Sequence, residues 1–395
     1  MPTPIRVLVG SLSPGLLPTA SAPGPPEGTV LLDLGPDHPS RAGVLELRLW
    51  TSGGVVTSAE VVVGAMHRGV EKLFEVRDYR QILMLADRHD WQAPVAGELA
   101  VAAACEQLLS LEVPGRAVWM RTLLAEHTRL LSHLGFLAYV PFRLGLPSPT
   151  AAVREQLRSA TQRLTGNRIH PMAVRLGGLS VDADDDWLDD ELVVLDHVAT
   201  AAVALAQMMS DPVFEEASTG VAPLSAELVE AFGVSGPAAR ASGVALDLRR
   251  TAPYLAYDEL QTLLSPGSSP TGSSASGPGD ARVRFTQLVS EVLTSVRLVA
   301  ACVERLRTEP GPVSVPLPKV VLVPEGSAYE ATEAPLGMNG CYLVSRGDKT
   351  PWRLKLRTPS FNNVAALEAL LPGVAVGSLE MALASMGYVL GDVDK

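Results

Sequence analysis

The sequence predicts an α+β protein with an N-terminal antiparallel β-meander, a central helical bundle and a C-terminal region of mixed α and β structure. Residues 29–63 contain short runs in which apolar and polar side chains alternate, the pattern of a half-buried strand. Residues 94–209 carry apolar side chains at helical spacing. Strand-like patterns return at residues 313–323 and 340–356, so strands are expected on both sides of the bundle.

Composition indicates a globular protein. The 395 residues are 47% hydrophobic and 19% charged, which is typical of a globular chain with a large interior. The formal net charge of −11 argues against a nucleic-acid partner, because phosphate binding needs a cationic surface. A chain of 395 residues is too long for one small core, so we expect two or three packed regions that share a large interior.

The chain divides into five predicted segments. Residues 265–280 contain only Ser, Pro, Gly, Thr, Ala and Asp, a composition typical of a flexible insertion. The predicted segments are a loose leader or pair of short strands (1–28), the β-meander (29–65), the helical bundle (66–260), the flexible insertion (261–282), and a long helix followed by a β-containing region (283–395).

The clearest predicted helix begins after Pro114 and ends near Tyr139, because Pro141 follows. A second covers residues 150–164 and ends at Gly166 in the C-cap position. Further helices are predicted at residues 94–111, 188–209 and 283–307. The acidic run at residues 184–186 fits either a cation site or, more simply, a solvated helix N-terminus.

The spacing of the cysteines, the N-terminal sequence and the length of the apolar runs argue against several kinds of site and location. The three cysteines Cys105, Cys302 and Cys341 form no CxxC pair, so we expect neither a disulfide framework nor a locally encoded iron–sulfur or zinc site. The N-terminus lacks a secretory signal pattern. The longest apolar run, residues 198–209, is about half the length of a membrane span, so we expect a soluble protein, which is compatible with docking against a membrane complex.

Common catalytic motifs are absent from the sequence. It contains no HExxH, GxSxG, P-loop or GxGxxG pattern, which leaves hydrolase, NTPase and dinucleotide-binding functions without support. His127 and His133 are six residues apart on one predicted helix, hence on nearly opposite faces, and are not expected to form a metal pair.

A histidine between two prolines marks the most distinctive loop, Gly35-Pro-Asp-His-Pro39. Each proline restricts its own φ and that of the residue before it, so the loop should present His38 from a stiff backbone. An ordinary turn before a strand remains an alternative.

Charged and polar side chains also interrupt apolar stretches. Buried charges are costly unless paired, so these residues should form internal ion pairs or face a cofactor, substrate or partner. They are Arg88, His89, Asp90, Trp91, Glu126, Arg129, Asn167, Arg168, His170 and Arg175.

Eight short motifs, in order from about residue 29 onwards, resemble the D-type or 49-kDa-type subunit of the proton-pumping NADH:quinone oxidoreductase, respiratory complex I. Their order and spacing carry the resemblance, since each motif alone is weak. They are Gly35-Pro-Asp-His-Pro39, His67-Arg-Gly-Val-Glu-Lys72, Asp87-Arg-His-Asp90, Ser132-His-Leu134, Arg175-Leu-Gly-Gly178, Arg240-Ala-Ser-Gly243, Pro359-Ser-Phe-Asn-Asn363 and Gly391-Asp-Val-Asp394.

That family is similar to the large subunit of nickel–iron hydrogenases, which implies a hydrogenase-large-subunit-like fold. The two CxxC pairs of a hydrogenase are absent here, so we expect no metal in this chain. The resemblance implies instead a peripheral-arm subunit that binds no cofactor itself. It would pack against the B-type subunit, whose terminal iron–sulfur cluster passes electrons on, and quinone would bind at that interface.

The resemblance also implies further partners and a location. The C-type subunit and the membrane-arm H-type subunit would be neighbours, on the cytoplasmic side of a bacterial cell membrane. The isolated chain would have no activity. Arg88 and His170 match the family's arginine and histidine close to the partner's cluster, where positive charge and hydrogen bonding would raise its reduction potential.

Three positions depart from the family's quinone pocket. His38 matches the first histidine of the loop, but the second, which normally hydrogen-bonds the quinone, falls on Ala42. The usual tyrosine falls on Trp91 and the usual aspartate on Arg143. Alanine offers no proton, and an indole N–H is not a usable acid near neutral pH. A guanidinium can hydrogen-bond a carbonyl, so Arg143 could compensate in part.

Two hypotheses follow for the altered pocket. In the first, Arg143, Trp91 and His38 place a quinone headgroup and the chain works in quinone reduction. In the second, it is a divergent paralogue that serves as a scaffold or redox-complex component without the usual quinone chemistry. A hydrogenase-like metal enzyme is a third, poorer interpretation. Because the quinone-binding histidine of the family falls on Ala42, we expect His38 to be chiefly a structural residue of its loop, with contact to the headgroup a secondary role.

Overall fold

The computed structural model describes residues 4–10, 28–34, 38–40, 43–264 and 279–395, and only the backbone of Phe142. It confirms the predicted α+β class: the described residues form fifteen α-helices and nine strands in three sheets. Most buried apolar side chains belong to one continuous core that runs through the helical bundle and under the sheets.

The N-terminal sheet has four strands in the order β2-β1-β3-β4. Alternation along β3 places Leu45, Leu47 and Leu49 on the core face. β3 and β4 pair in antiparallel fashion, as the sequence predicts. The strands are β1 (Ile5–Gly10), β2 (Thr29–Asp33), β3 (Val44–Ser52) and β4 (Val55–Val62).

β1 lies within the segment predicted as a loose leader or a pair of short strands, and it agrees with the second alternative. It inserts between β2 and β3 and pairs in parallel with β2, so the sheet is mixed rather than the simple meander predicted. The short alternating run that buries Val7 and Val9 is hidden in a segment whose overall composition is rich in Pro and Gly. Residues 5–10 therefore form a strand rather than a loose leader, and residues 11–27 lie outside the described residues.

Ten helices and one short hairpin make up the predicted bundle segment. The helices are α1 (Val70–Phe74), α2 (Ile82–Ala86), α3 (Pro94–Leu109), α4 (Gly115–Arg143), α5 (Thr150–Thr165), α6 (Asp185–Met208), α7 (Pro212–Ser218), α8 (Ala226–Phe232), α9 (Gly236–Ala241) and α10 (Leu248–Thr251). The hairpin, between α5 and α6, consists of β5 (Val174–Arg175) and β6 (Gly178–Leu179).

Local signals predicted the ends of two helices. Gly166 ends α5 with φ of 80°, the left-handed conformation that glycine adopts at little cost. Asp184 caps α6 by accepting the backbone N–H of Trp187, so the acidic run is a helix N-terminus. For α4 the prediction is wrong, because the helix continues through Pro141 to Arg143. The proline removes only one backbone donor, and the N–H groups of Leu144 and Leu146 still bond back into the last turn.

The C-terminal region begins with the long helix α11 and ends with short helices around a three-stranded sheet. Its elements are α11 (Ala281–Leu306), β7 (Gly326–Ala334), β8 (Gly337–Ser345), β9 (Arg353–Arg357), α12 (Pro359–Ala365), α13 (Leu367–Leu370), a 3-10 turn (Val376–Ser378), α14 (Leu379–Met386) and α15 (Leu390–Val393).

Two predictions in this region need correction. Residues 313–323 do not form a strand of the sheet, although Ser314 makes an isolated bridge to Gly178. α11 begins inside the predicted insertion, because the side chain of Asp280 caps it by accepting the N–H of Val283. Residues 265–278 of the insertion lie outside the described residues.

A buried carboxylate on α4, Glu126, joins four other side chains in the bundle interior. It accepts hydrogen bonds from Arg129, Arg249, Tyr257 and Ser295, which bring α4, α10 and α11 together. Burial by itself would raise the pKa of Glu126, but the two guanidinium groups lower it to about 2. The carboxylate therefore stays ionised inside the core.

Arg240 on α9 continues this network towards the C-terminal sheet. Its guanidinium donates to Glu291 of α11 at 2.8 Å and to Glu333 of β7 at 2.7 Å. His133 of α4 reaches the other oxygen of Glu291 at 3.2 Å. His127 instead pairs with Glu191 of α6 at 2.6 Å, so the two histidines of α4 serve separate contacts.

α6 and α11 are long and apolar enough to cross a membrane by length and composition alone. Both pack against other helices of the bundle: α11 contacts α4 and α6, and α6 contacts α5. Core helices of soluble proteins pass the same test, so the two helices are weak evidence for a membrane span.

Replacing Glu126 by Gln should destabilise the fold by about 3–5 kcal/mol, because the buried Arg129 would lose its carboxylate partner and Arg249 would keep only Asp247. Denaturant unfolding at neutral pH measures the change. Glu304→Gln, at an exposed position on α11, is the matched control and should change stability by no more than about 0.5 kcal/mol. Equal stabilities of the two variants would contradict a network that supports the core.

Candidate functional site

His38 lies in the interior, next to the end of α4. Only 1% of the residue is exposed, and its ring meets the Tyr139 ring edge-on at a centroid distance of 4.6 Å. The backbone N–H of Ser40 donates to Nδ1 at 3.1 Å, which assigns the proton of the neutral ring to Nε2. Burial lowers the pKa of His38 to about 3. Near neutral pH the ring is therefore uncharged and fixes the loop.

Trp91 contacts the same loop from the other side. Its indole N–H donates to the Pro39 carbonyl at 3.0 Å, and the side chain of Gln92 donates to the same oxygen at 3.0 Å. The ring packs against Gly391, where a Cβ would come within 2.6 Å of a ring carbon. The only hydrogen-bond donor of the indole is thus used inside the protein. Ala42 lies outside the described residues.

Arg143 sits at the end of α4 beside a cleft of about 320 Å³. Its Nε lies 2.6 Å from Oε1 of Glu380, and Nη2 donates to Oε2 at 3.1 Å. The hydroxyl of Tyr139 donates to the same carboxylate. Glu380 raises the pKa of Arg143 through this hydrogen bond, while burial, followed by Glu380, raises the pKa of Tyr139. The tyrosine therefore stays protonated near neutral pH.

The three described residues of the predicted quinone pocket do not line one cavity. Trp91 borders a small cavity of about 40 Å³ between α3, α4 and α5. Arg143 borders the separate cleft at the end of α4. His38 is enclosed between them and contacts Tyr139, which itself lines the cleft.

Arg88 and His170, distant in sequence, meet at one buried carboxylate. Nε of Arg88 donates to Oδ1 of Asp87 at 2.6 Å, and Nδ1 of His170 lies 3.6 Å from the same oxygen. Nδ1 of His170 also lies 3.1 Å from the Asp87 carbonyl oxygen. Asp87 is fully buried, whereas the Arg88 side chain is 44% exposed. The pair forms a partly exposed polar surface over a buried anion.

Buried acidic groups lie close to these residues, and of these only Asp90 was among the charged residues singled out in the sequence. Nδ1 of His89 lies 2.8 Å from Oδ1 of Asp392, both inside the protein. Burial and then Asp392 raise the pKa of Asp90 to about 7. Burial raises the pKa of Glu98 on α3 to about 8, although Glu98 accepts the backbone N–H of Val174 at 2.7 Å. Glu98 interrupts a long apolar helix, a signal that the sequence did offer.

The cysteines and other possible ligands form no described metal site. Cys105, Cys302 and Cys341 are buried and unpaired. Across the residues that the structure describes, no group of three or more His, Cys, Asp and Glu side chains is arranged to hold a metal ion. Tyr139 and Glu380, which surround Arg143, carried no local sequence signal, since they are 241 residues apart.

Comparison with known proteins gives a consistent result. The sequence model of a family described as respiratory-chain NADH dehydrogenase, 49 Kd subunit, matches residues 148–323 and 318–395. The chain is 46% identical over 390 residues to D-type subunit 1 of the NADH-quinone oxidoreductase of Streptomyces coelicolor, covering 97% of this chain and all of the relative. The chain belongs to this family.

Other relatives extend the similarity. D-type subunit 2 of the NADH-quinone oxidoreductase of Salinispora tropica is 48% identical over 370 residues, with 93% of each chain covered. The D-type subunit of Carboxydothermus hydrogenoformans is 34% identical over 371 residues, covering 92% of this chain and 98% of the relative. The protein is thus an oxidoreductase-complex subunit of the complex I type, which functions in electron transport together with other subunits.

The pH dependence of stability should report the buried state of His38. Its pKa in the fold lies below the ordinary value of 6.5, so between pH 6.5 and about 3 the unfolded chain binds a proton that the folded chain does not. Stability should fall as pH falls through this window, by at most about 1.4 kcal/mol per pH unit from this group. Denaturant unfolding between pH 7 and pH 5 measures the slope.

His38→Asn is the informative variant, because its side-chain oxygen can still accept the Ser40 N–H but does not titrate. The variant should be less stable at pH 7 and show a shallower loss of stability towards pH 5. Parallel pH slopes for the two proteins would mean that His38 is not held neutral by burial.

Proposed function

We propose that this protein packs its Arg88–His170 surface against the subunit that carries the terminal iron–sulfur cluster and forms part of the quinone site of an NADH:quinone oxidoreductase. The convergence of Arg88 and His170 on Asp87 carries the proposal. The Arg88 side chain is 44% exposed and has room to approach a partner, while Asp87 holds its Nε from the buried side. This is an arrangement suited to holding positive charge and a hydrogen-bond donor beside an electron acceptor.

The quinone-site residues in this proposal are His38, Ala42, Trp91 and Arg143. His38 and Trp91 hold the loop through Ser40 and Pro39, and Arg143 supplies the exposed donor. The chain itself binds no cofactor: quinone is a substrate at the interface, and the iron–sulfur cluster belongs to the partner. Turnover therefore belongs to the assembly, and the isolated chain is inactive.

Position and partners follow from the same assignment. The protein lies peripherally on the cytoplasmic side of the bacterial membrane, where the B-type and C-type subunits and the membrane-arm H-type subunit are its neighbours. In that place it takes part in an electron transfer that is coupled to proton translocation. The relatives reported above are bacterial proteins, which supports this setting.

A second candidate is a divergent paralogue that acts as a scaffold or redox-complex component. Two relatives carry numbered names, as D-type subunits 1 and 2 of their complexes. Ala42 and Trp91 stand in place of the usual proton-donating pair, and Arg143 replaces the usual aspartate, changes that fit a chain without the usual quinone chemistry. The Arg88–Asp87–His170 contact is expected in both cases.

Quinone reductase activity of the purified complex separates the two candidates. The first predicts inhibitor-sensitive reduction of quinone by the fully assembled complex, and complete inactivity would reject it. Restoring the usual pair with Ala42→His and Trp91→Tyr gives a second measurement. A gain of quinone turnover would favour lost chemistry on an intact scaffold, whereas no change would favour a rebuilt pocket.

Arg88→Gln should lower the midpoint potential of the partner's terminal cluster by on the order of tens of millivolts, because a positive charge beside the cluster is lost. Redox titration of the assembled complex, followed by electron paramagnetic resonance, measures it. Arg307→Gln is the control, since Arg307 pairs with Asp189 at the end of α11 and not with Asp87. An unchanged potential in Arg88→Gln would contradict the proposed cluster-facing surface.

A further inference from the structure

The cleft at the end of α4 combines apolar walls with a small set of convergent polar groups. We call it the Arg143 cleft, and its lining includes Tyr139, Val140, Arg143, Leu144, Glu380 and Met381. Its volume of about 320 Å³ lies within the range of small-molecule sites, roughly 300–1,000 Å³. Val140 and Met381 are buried residues of the continuous core, so this wall of the cleft is rigid.

Hydrogen-bond donors remain available in this cleft and not at Trp91. The only N–H of the Trp91 indole is used by the Pro39 carbonyl. Glu380 contacts Nε and Nη2 of Arg143, and no contact within the described part of the chain occupies Nη1. Because a guanidinium carries five N–H groups in a fixed plane, it can hold Glu380 and a ligand oxygen at the same time.

The charge of the cleft selects a class of ligand. Glu380 neutralises Arg143, and the carboxylate of Asp33 adds further negative charge near the guanidinium, so the cleft offers hydrogen bonding without an excess of positive charge. The Tyr139 hydroxyl is committed to Glu380 and fixes the orientation of the carboxylate. A neutral ring bearing a carbonyl group suits this combination better than an anion does, since it can accept from Nη1 while its ring packs on Met381 and Leu144.

The cleft also adjoins the loop that carries the predicted quinone residues. The ring of His38 touches the ring of Tyr139 at a centroid distance of 4.6 Å, and Tyr139 lines the cleft. A ligand in the cleft would therefore lie one side chain away from that loop. Arg143 would then replace, from a nearby position, the hydrogen-bond donor that is missing at Ala42 and the one that Trp91 uses inside the protein.

We propose that the headgroup of the quinone binds in the Arg143 cleft, with Arg143 donating to a headgroup carbonyl and with Tyr139 and Glu380 as positioning residues. The inference rests on the proposed function, and it names the subsite that this chain uses in place of the usual pair. It concerns binding and orientation of the headgroup.

Gly377 offers a way to block the cleft without disturbing the fold. It lines the cleft, its φ lies outside the left-handed region, and a Cβ added there meets no atom within 4 Å. Gly377→Phe therefore places a large side chain at the edge of the cleft, where it should obstruct a ligand. Val376→Phe is the matched control, because Val376 precedes it, is 43% exposed and does not line the cleft.

The purified complex carrying each variant is assayed with decylubiquinone and with 2,3-dimethyl-1,4-naphthoquinone. Gly377→Phe should raise KM for the quinone by about tenfold or more, and NADH oxidation by ferricyanide, which does not use the quinone site, should not change. Val376→Phe should remain within about twofold of the parent complex. A Gly377→Phe complex that also stays within about twofold would overturn the inference.

Arg143→Gln and Arg143→Lys provide an independent readout. Loss of the guanidinium should raise KM about tenfold with a smaller effect on kcat, and lysine should restore part of the affinity because it keeps a charged donor. Equal KM values in the parent and Arg143→Gln complexes would count against the cleft. A parent complex that reduces neither quinone would overturn the proposed function and this inference together, whereas an active complex insensitive to Gly377→Phe would overturn this inference alone.

Discussion

The C-terminal segment holds the N-terminal loop, the helical bundle and the C-terminal region together at the site. The N–H of Leu390 donates to the hydroxyl of Ser40, two residues after the buried histidine of the loop. One oxygen of Asp392 lies 2.8 Å from His89 and the other accepts the N–H of Ser360. These contacts are buried, where leaving a polar group unpaired costs about 1–3 kcal/mol, so the three regions depend on one another.

The packing around this loop determines which side chains can still donate a proton or hydrogen bond to a ligand. His38 is a neutral ring in the interior, and the Trp91 N–H donates to the Pro39 carbonyl, so neither is available to a ligand. Exposed hydrogen-bond donors are found instead at Arg143, at the end of α4, and at the Arg88–His170 surface. Under the proposed function, a member of this family can thus keep its Arg88–His170 surface while the residues proposed to bind quinone change.

Local patterns predicted the long helices, because helical periodicity and end signals such as Gly166 act within a few residues. The meeting of Arg88 and His170 was suggested by the family resemblance alone, since nothing in the spacing of residues 88 and 170 requires it. Contacts across the fold could not be predicted. Arg143 and Glu380 are 237 residues apart, and His89 and Asp392 are 303 apart, so only tertiary packing brings each pair together.

A structure of the assembled complex with a quinone-site inhibitor bound would show directly which residues face the partner and the quinone. We expect Arg88 and His170 to face the partner's terminal iron–sulfur cluster and the inhibitor's carbonyl to lie within hydrogen-bond distance of Arg143. A structure in which Arg88 and His170 face solvent, or in which the inhibitor lies against Trp91 and away from Arg143, would contradict the proposed function or the proposed headgroup site.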